Sequence, residues 1–224
     1  MNFHQKAHPV EALASHRTTS LHLRRLPVGN QGCLRRIVLR ISGRYEVANW
    51  EKNLWARESY EPGTFCWVYL TSTDAEGAKA FYGGLFGWEF RDDEIPGGVY
   101  TMCYGQGSAV AAIVQQDEHP AHWNNYVSVT SADETAARAQ QLGATTIEEP
   151  FDVMEFGRMA VLADPLPFWL PYFTVSSRDA AMEKARNLGG AVLVGPLDLP
   201  AAKIAVLGDP QGPAFALFEG ETDD

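Results

Sequence analysis

The feature that most constrains this chain is a self-similarity at a fixed offset. Asp133 and Asp179 each open a helical stretch that closes at Leu142-Gly143 and at Leu188-Gly189. Ser131 and Ser177 stand just before those acids as N-cap candidates, and each glycine suits the left-handed residue that ends a helix. Further on, Pro150-Phe151-Asp152-Val153 returns as Pro196-Leu197-Asp198-Leu199 at the same spacing. The spacing then shortens by one residue, as a single loop deletion would make it, and Ala160 to Pro165 (AVLADP) returns as Ala205 to Pro210 (AVLGDP). A chain written this way folds as copies of one unit.

A more divergent copy begins at Phe65. Phe65 to Leu70 reads as a strand, Asp74 caps a helix whose buried face is Ala78, Phe81, Tyr82 and Leu85, and Gly87 ends it. Trp88-Glu89-Phe90 starts the next strand. Beyond the polar stretch Arg91 to Glu94 and the turn Pro96-Gly97-Gly98, Val99 to Tyr104 and Ser108 to Val114 read as two more strands around Gly105-Gln106-Gly107. Strand, helix and three strands make one βαβββ unit. The expected fold class is α+β: repeated βαβββ modules forming curved mixed sheets with helices outside. One such module leaves its concave face open, and two must associate to close a cleft.

Charge divides the chain at about residue 60. Residues 1–60 hold ten Lys/Arg against four Asp/Glu, whereas residues 61–224 hold eight against twenty-four. An acidic body repels phosphate backbones, so the folded part is expected to bind no nucleic acid. The first sixty residues carry four of the six histidines and one modest apolar run around Ile37-Val38-Leu39 and Ile41, enough for one short strand or helix. They are expected to be a basic, poorly ordered extension; a basic arm or a targeting segment is the other reading. No apolar run approaches the roughly 20 residues that span a bilayer, so no membrane partner and a cytoplasmic location are expected. Cys33, Cys66 and Cys103 share no ligand spacing and are expected as reduced thiols.

Four stretches together carry a family resemblance: Pro62 to Val68 (PGTFCWV), Ala78 to Trp88 (AKAFYGGLFGW), Gly157 to Pro165 (GRMAVLADP) and Asp209 to Phe215 (DPQGPAF). They resemble the vicinal-oxygen-chelate superfamily of glyoxalase, bleomycin-resistance and dioxygenase proteins. More narrowly they are similar to its two-domain actinobacterial antigen and hydroxylase-like branch. The resemblance implies a glyoxalase/bleomycin resistance fold over about residues 61–219. It assigns residues 61–165 to one domain, with modules at 61–116 and 121–165, and residues 166–224 to a further module. A full member of that branch would have four modules, and this chain has space for three. After Asp164-Pro165 the closing strand is missing, as if by an internal deletion. Either residues 168–175 fill that gap or a sheet edge is left exposed, and an exposed edge would favour a homodimer.

Metal-dependent relatives place His or Glu on first and last strands, facing into the cleft. Counting from the helix landmarks puts Trp67, Asn124 and Leu170 at the first-strand positions and Ala216 at a last-strand position. None is a usual ligand, so no metal and no cofactor are expected. His119 and His122 could form a metal pair or a base, but no carboxylate is patterned with them; a loop entering a strand, with His122 exposed or capping, is the plainer reading. Alternation then turns Trp67 and Tyr69 inward with Thr71, and likewise Asn124, Tyr126 and Ser128, and then Tyr172. Tyr100, Met102 and Tyr104 extend the set from the middle strands. These residues suit a planar small-molecule ligand, or they fill a half-barrel core. The expected function is metal-free small-molecule binding; a lyase, isomerase or oxygenase acting on a small carbonyl or aromatic compound is the alternative. Catalytic residues are not identifiable.

Overall fold

A computed structural model describes residues 36–41 (backbone), 60–95, 97–153, 157–165 and 169–221. Local signals set its three helices. Asp74 Oδ1 accepts from the Gly77 N–H at 2.9 Å to start α1 (Ala75–Phe86), and Gly87, at φ 73°, ends it. Ser131 caps α2 (Ala132–Gln141) through the Glu134 N–H, and Ser177 caps α3 (Arg178–Asn187) through the Ala180 N–H. Behind the latter two helices, Gly143 and Gly189 both adopt positive φ, as their places in the sequence predict.

Around α1 lie β2 (Phe65–Ser72), β3 (Glu89–Ile95), β4 (Gly98–Gly105) and β5 (Ser108–Gln115). The polar stretch Arg91 to Glu94 proves to be strand: β3 is the outermost strand on its side, and an edge tolerates charge where an interior strand would not. Around α2 lie β6 (His122–Val129), β7 (Thr145–Asp152) and β8 (Arg158–Ala163). The chain then leaves this sheet for a second one, made of β9 (Tyr172–Thr174), β10 (Ala191–Asp198), β11 (Ala202–Gly208) and β12 (Ala214–Gly220) around α3.

The missing closing strand has a substitute. β1 (Arg36–Ile41) inserts between β6 and β8, parallel to the former and antiparallel to the latter. β5 stands in the same relation to β2 and β4. The large sheet therefore has eight strands in the order β3-β4-β5-β2-β6-β1-β8-β7. Two expectations change. The gap is filled neither by residues 168–175 nor left as an open edge, and six residues of the N-terminal segment are part of the sheet. A hexapeptide with four apolar residues and two arginines, RIVLRI, fits a slot whose neighbours both present unpaired backbone groups. The rest of that segment lies outside the described residues, as does Cys33.

The two sheets are joined back to back through α1 and α3. One buried cluster takes Leu70, Cys103 and Ile113 from the large sheet, Phe81, Tyr82 and Leu85 from α1, Met182 and Ala185 from α3, and Leu207, Phe215 and Leu217 from the small sheet. Phe215 sits at its centre, its ring 5.6 to 6.2 Å from those of Phe81, Tyr82, Phe86 and Phe173. A polar clamp beside it fixes the angle. The fully buried Tyr82 hydroxyl donates to Asp209 at 2.9 Å, and the Gln211 side-chain oxygen accepts from Ser72 Oγ, the Thr73 N–H and the Asp74 N–H. α2 covers the other half of the large sheet over Val129, Ala136, Ala160 and Leu162.

Candidate functional site

A second, separate cluster lies on the concave side of the large sheet: Cys66, Trp67, Met102, Ala112 and Tyr126, with Tyr60, Tyr69, Tyr100, Tyr104 and Met159 packed against it, Cys66 joining at an irregularity in the β2–β6 pairing. The register explains why these residues meet. β2 and β6 run antiparallel with Trp67 opposite Tyr126 and Tyr69 opposite Asn124, while Met102 faces Ala112 across β4 and β5. Ala112 has no bulk of its own, and the larger side chains close over it.

Some of the polar tips bond one another, while the buried Tyr104 hydroxyl and Asn124 Oδ1 have no hydrogen-bond partner. The Trp67 indole N–H donates to the Tyr100 hydroxyl at 2.9 Å, and the Asn124 amide donates to Thr71 Oγ1 at 2.9 Å. Ser128 Oγ donates to the Tyr60 carbonyl. Tyr69 and Tyr126 lie 5.7 Å apart, tilted against each other, and the Arg91 guanidinium sits 5.6 Å over the Tyr104 ring. Desolvation pushes the Tyr104 phenol above its ordinary value, opposed by Arg91, so it stays a neutral hydroxyl. Burial pushes the Cys103 thiol, on the opposite face, up to about 12, which leaves it inert as a nucleophile.

Eight of the nine residues singled out from the sequence thus share one sheet: Trp67, Tyr69, Tyr100, Met102, Tyr104, Asn124, Tyr126 and Ser128. Tyr172 does not join them. It lies on β9 of the small sheet and is 57% exposed, because the chain crosses between sheets after Asp164. His122 also departs from expectation: it begins β6, opposite Thr71, with its side chain buried and Nδ1 2.7 Å from the Pro120 carbonyl. Alternation along Arg158–Ala163 would have revealed Met159 and Val161. Nothing in the sequence marked Tyr60, which packs here from a segment assigned to the extension.

This donor set does not fit a divalent ion. At the two first-strand positions stand an indole and a carboxamide, each donating its N–H to a neighbouring hydroxyl. Among the described residues no three of His, Cys, Asp or Glu converge. Arg158 is bound to Asp133 at 2.6 Å and to Asp152 at 3.0 Å, tying β8 to α2 and β7 away from the cluster.

The sequence profile of the Glyoxalase-like domain matches residues 67–166, which run from the inner face of β2 past the end of β8. CFP32 of Mycobacterium tuberculosis, provisionally named a glyoxylase, is 38% identical over 116 residues, covering 49% of this chain and 44% of that protein. Residues 67–166 therefore carry a Glyoxalase-like domain of the vicinal-oxygen-chelate superfamily. A second relative is the anthracycline biosynthesis protein DauV of Streptomyces sp. strain C5, 36% identical over 123 residues, covering 47% of this chain and 45% of that protein. The matches thus span less than half the length of either relative. Among solved structures, TnmS3, an antibiotic binding protein from Streptomyces sp. CB03234, aligns at 17% identity and a TM-score of 0.38 over 68% of this chain and 92% of its own. No described helix is long and apolar enough to cross a membrane.

Proposed function

We propose that this chain binds a planar, largely apolar small molecule against the concave face of the large sheet, without the help of a metal. The observation that carries the reading is the convergence of Trp67, Tyr69, Tyr100, Tyr104 and Tyr126 on one face whose polar tips are neutral. Aromatic faces stack on planar ligands, and hydroxyl and carboxamide tips orient them without demanding a charge. Tyr69, Tyr100 and Tyr104 are only partly buried, so they are the rings a ligand meets first. The relation to a protein named for anthracycline biosynthesis supports a polycyclic aromatic as the ligand class.

The test is a tryptophan-fluorescence titration of chelator-treated protein with a soluble anthracycline and a set of smaller planar aromatics. Saturable quenching is expected, weakened roughly tenfold by Trp67→Ala or Tyr69→Ala, the scale of one lost aromatic contact. Absence of saturable binding across the set, or affinity indifferent to both substitutions, would remove the reading. Turnover of the ligand that depends on an added divalent metal would replace it with an enzymatic one.

A further inference from the structure

On the concave face of the large sheet, Asn124 is wholly buried and only half of its carboxamide is paired. We infer that Asn124 reads the ligand: its Oδ1 accepts a hydrogen bond from a hydroxyl or N–H at the edge of the planar molecule. The site then takes a neutral, phenol-like aromatic in preference to a hydrocarbon of the same shape. This rests on the ligand reading above and narrows it.

Register and one hydrogen bond fix where the oxygen points. Alternation along β6 puts Asn124 on the same face as Tyr126, and the pairing with β2 sets it opposite Tyr69. Asn124 Nδ2 donates to Thr71 Oγ1 at 2.9 Å, which turns the oxygen of the same carboxamide away from Thr71. Asn124 is 0% exposed, and its Oδ1 has no hydrogen-bond partner. A buried carbonyl acceptor left unpaired is costly and rare. A ligand that supplies the missing donor removes that cost.

Other polar tips on this face are already engaged. The Trp67 N–H donates to the Tyr100 hydroxyl, and Ser128 Oγ donates to the Tyr60 carbonyl. The Tyr104 hydroxyl also lacks a partner, but it stands on β4, separated from β6 by β5 and β2. A hydroxyl donates or accepts, so Tyr104 tolerates either kind of group. A carboxamide oxygen only accepts, so Asn124 Oδ1 demands a donor.

The surroundings limit what can carry that donor. Trp67, Tyr69 and Tyr126 favour a flat, apolar body, and Tyr69, directly across from Asn124, is only partly buried, so a ligand stacked on it reaches the carboxamide. A carboxylate would set its lone pairs against those of Oδ1, inside a strongly acidic body. A neutral hydroxyl or N–H meets neither objection.

Equilibrium dialysis of the full chain with a naphthol, and with the methylnaphthalene of the same substitution, tests this. Methyl and hydroxyl are similar in size and the methyl compound is the more hydrophobic, so an apolar face with nothing to read the hydroxyl would bind it at least as tightly. The wild type is expected to hold the naphthol about tenfold more tightly, and Asn124→Leu, close in shape, to lose that preference. Asn124→Ala, which also removes the acceptor, replaces it if leucine disturbs the wild-type circular dichroism. A wild-type chain that the anthracycline still saturates but that does not prefer the naphthol overturns this inference alone. Saturation by none of the three compounds removes the ligand reading and this inference with it. A preference that survives without the Asn124 carboxamide, or that only Tyr104→Phe abolishes, overturns it as well.

Discussion

On the concave side of the large sheet, Trp67 and Tyr126 are 9% and 8% exposed; on the same side of the small sheet, Tyr172 and Val194 show about half their surface. Both sheets use a strand, a helix and further strands, and both bury their convex sides under a helix. The contrast lies in what stands alongside. In the large sheet each first strand has the other as its neighbour, and the curved faces close on one another. β9 has a neighbour on one side only. A module of this kind accounts for its own convex core, while its concave face depends on a second module.

The most disruptive way to probe that comparison is Phe215→Ala. The ring belongs to the small sheet yet packs on α1 of the larger half, so its removal should cost about 3–5 kcal/mol. Urea unfolding followed by tryptophan fluorescence and by circular dichroism should still give one coincident transition. Two separated transitions would mean that the halves are independent and share no core. A smaller loss, about 1–3 kcal/mol, is expected for Val38→Pro, because a proline inside β1 removes a ladder hydrogen bond. Hydrogen exchange should then rise in β6 and β8, giving the large sheet an open edge like that of β9. Unchanged exchange would mean that β1 does not hold that slot.

Gln211→Ala comes next, at about 1 kcal/mol, since its side-chain oxygen is the acceptor for groups of the loop before α1. Thermal denaturation should read it. A loss as large as that for Phe215→Ala would move the weight of the junction from the rings to the clamp.

The smallest expected effect is in pH dependence. Hydrogen bonds from Arg158 hold Asp133, and from Lys203 hold Glu219, below the ordinary carboxylate value; the Thr101 hydroxyl, with Lys79, does so for Asp92. A depressed folded value gives stability that is complete above the unfolded value of about 4 and is lost as pH falls through the folded one. Asp209 runs the other way. Desolvation raises it, against the N–H groups of Gln211 and Gly212 and the Tyr82 hydroxyl, so its contribution is complete below the unfolded value and lost as pH rises through the folded one. Acidification from about pH 6 to pH 4 should therefore destabilise Asp209→Asn more than wild type. Equal slopes in denaturant melts across that range would refute this sign.

Much of this was legible before any coordinates. Ser131, Ser177, Gly143 and Gly189 mark helix ends because capping is a property of a few consecutive residues. The inward set on β2 and β6 was legible because side-chain direction alternates along a strand regardless of what the strand meets. That Arg91 to Glu94 continue β3 was not legible, because charge is compatible with both a loop and an edge strand, and only position in the sheet separates them. Tyr60 was invisible because no periodicity surrounds it. His122 looked exposed beside Pro120, yet the strand starts at that residue and carries it inside.

By itself the sequence determined the capped helices, the aromatic residues that share one face of β2 and β6, and the likeness of residues 67–166 to a Glyoxalase-like domain. All of these follow from short-range patterns. Only the tertiary structure decided that RIVLRI, distant in the chain, enters the slot left by the missing strand, and that Tyr172 parts company with the other tyrosines. Strand pairing joins residues far apart in sequence, and which partner wins depends on which backbone edges remain unpaired once everything else has packed.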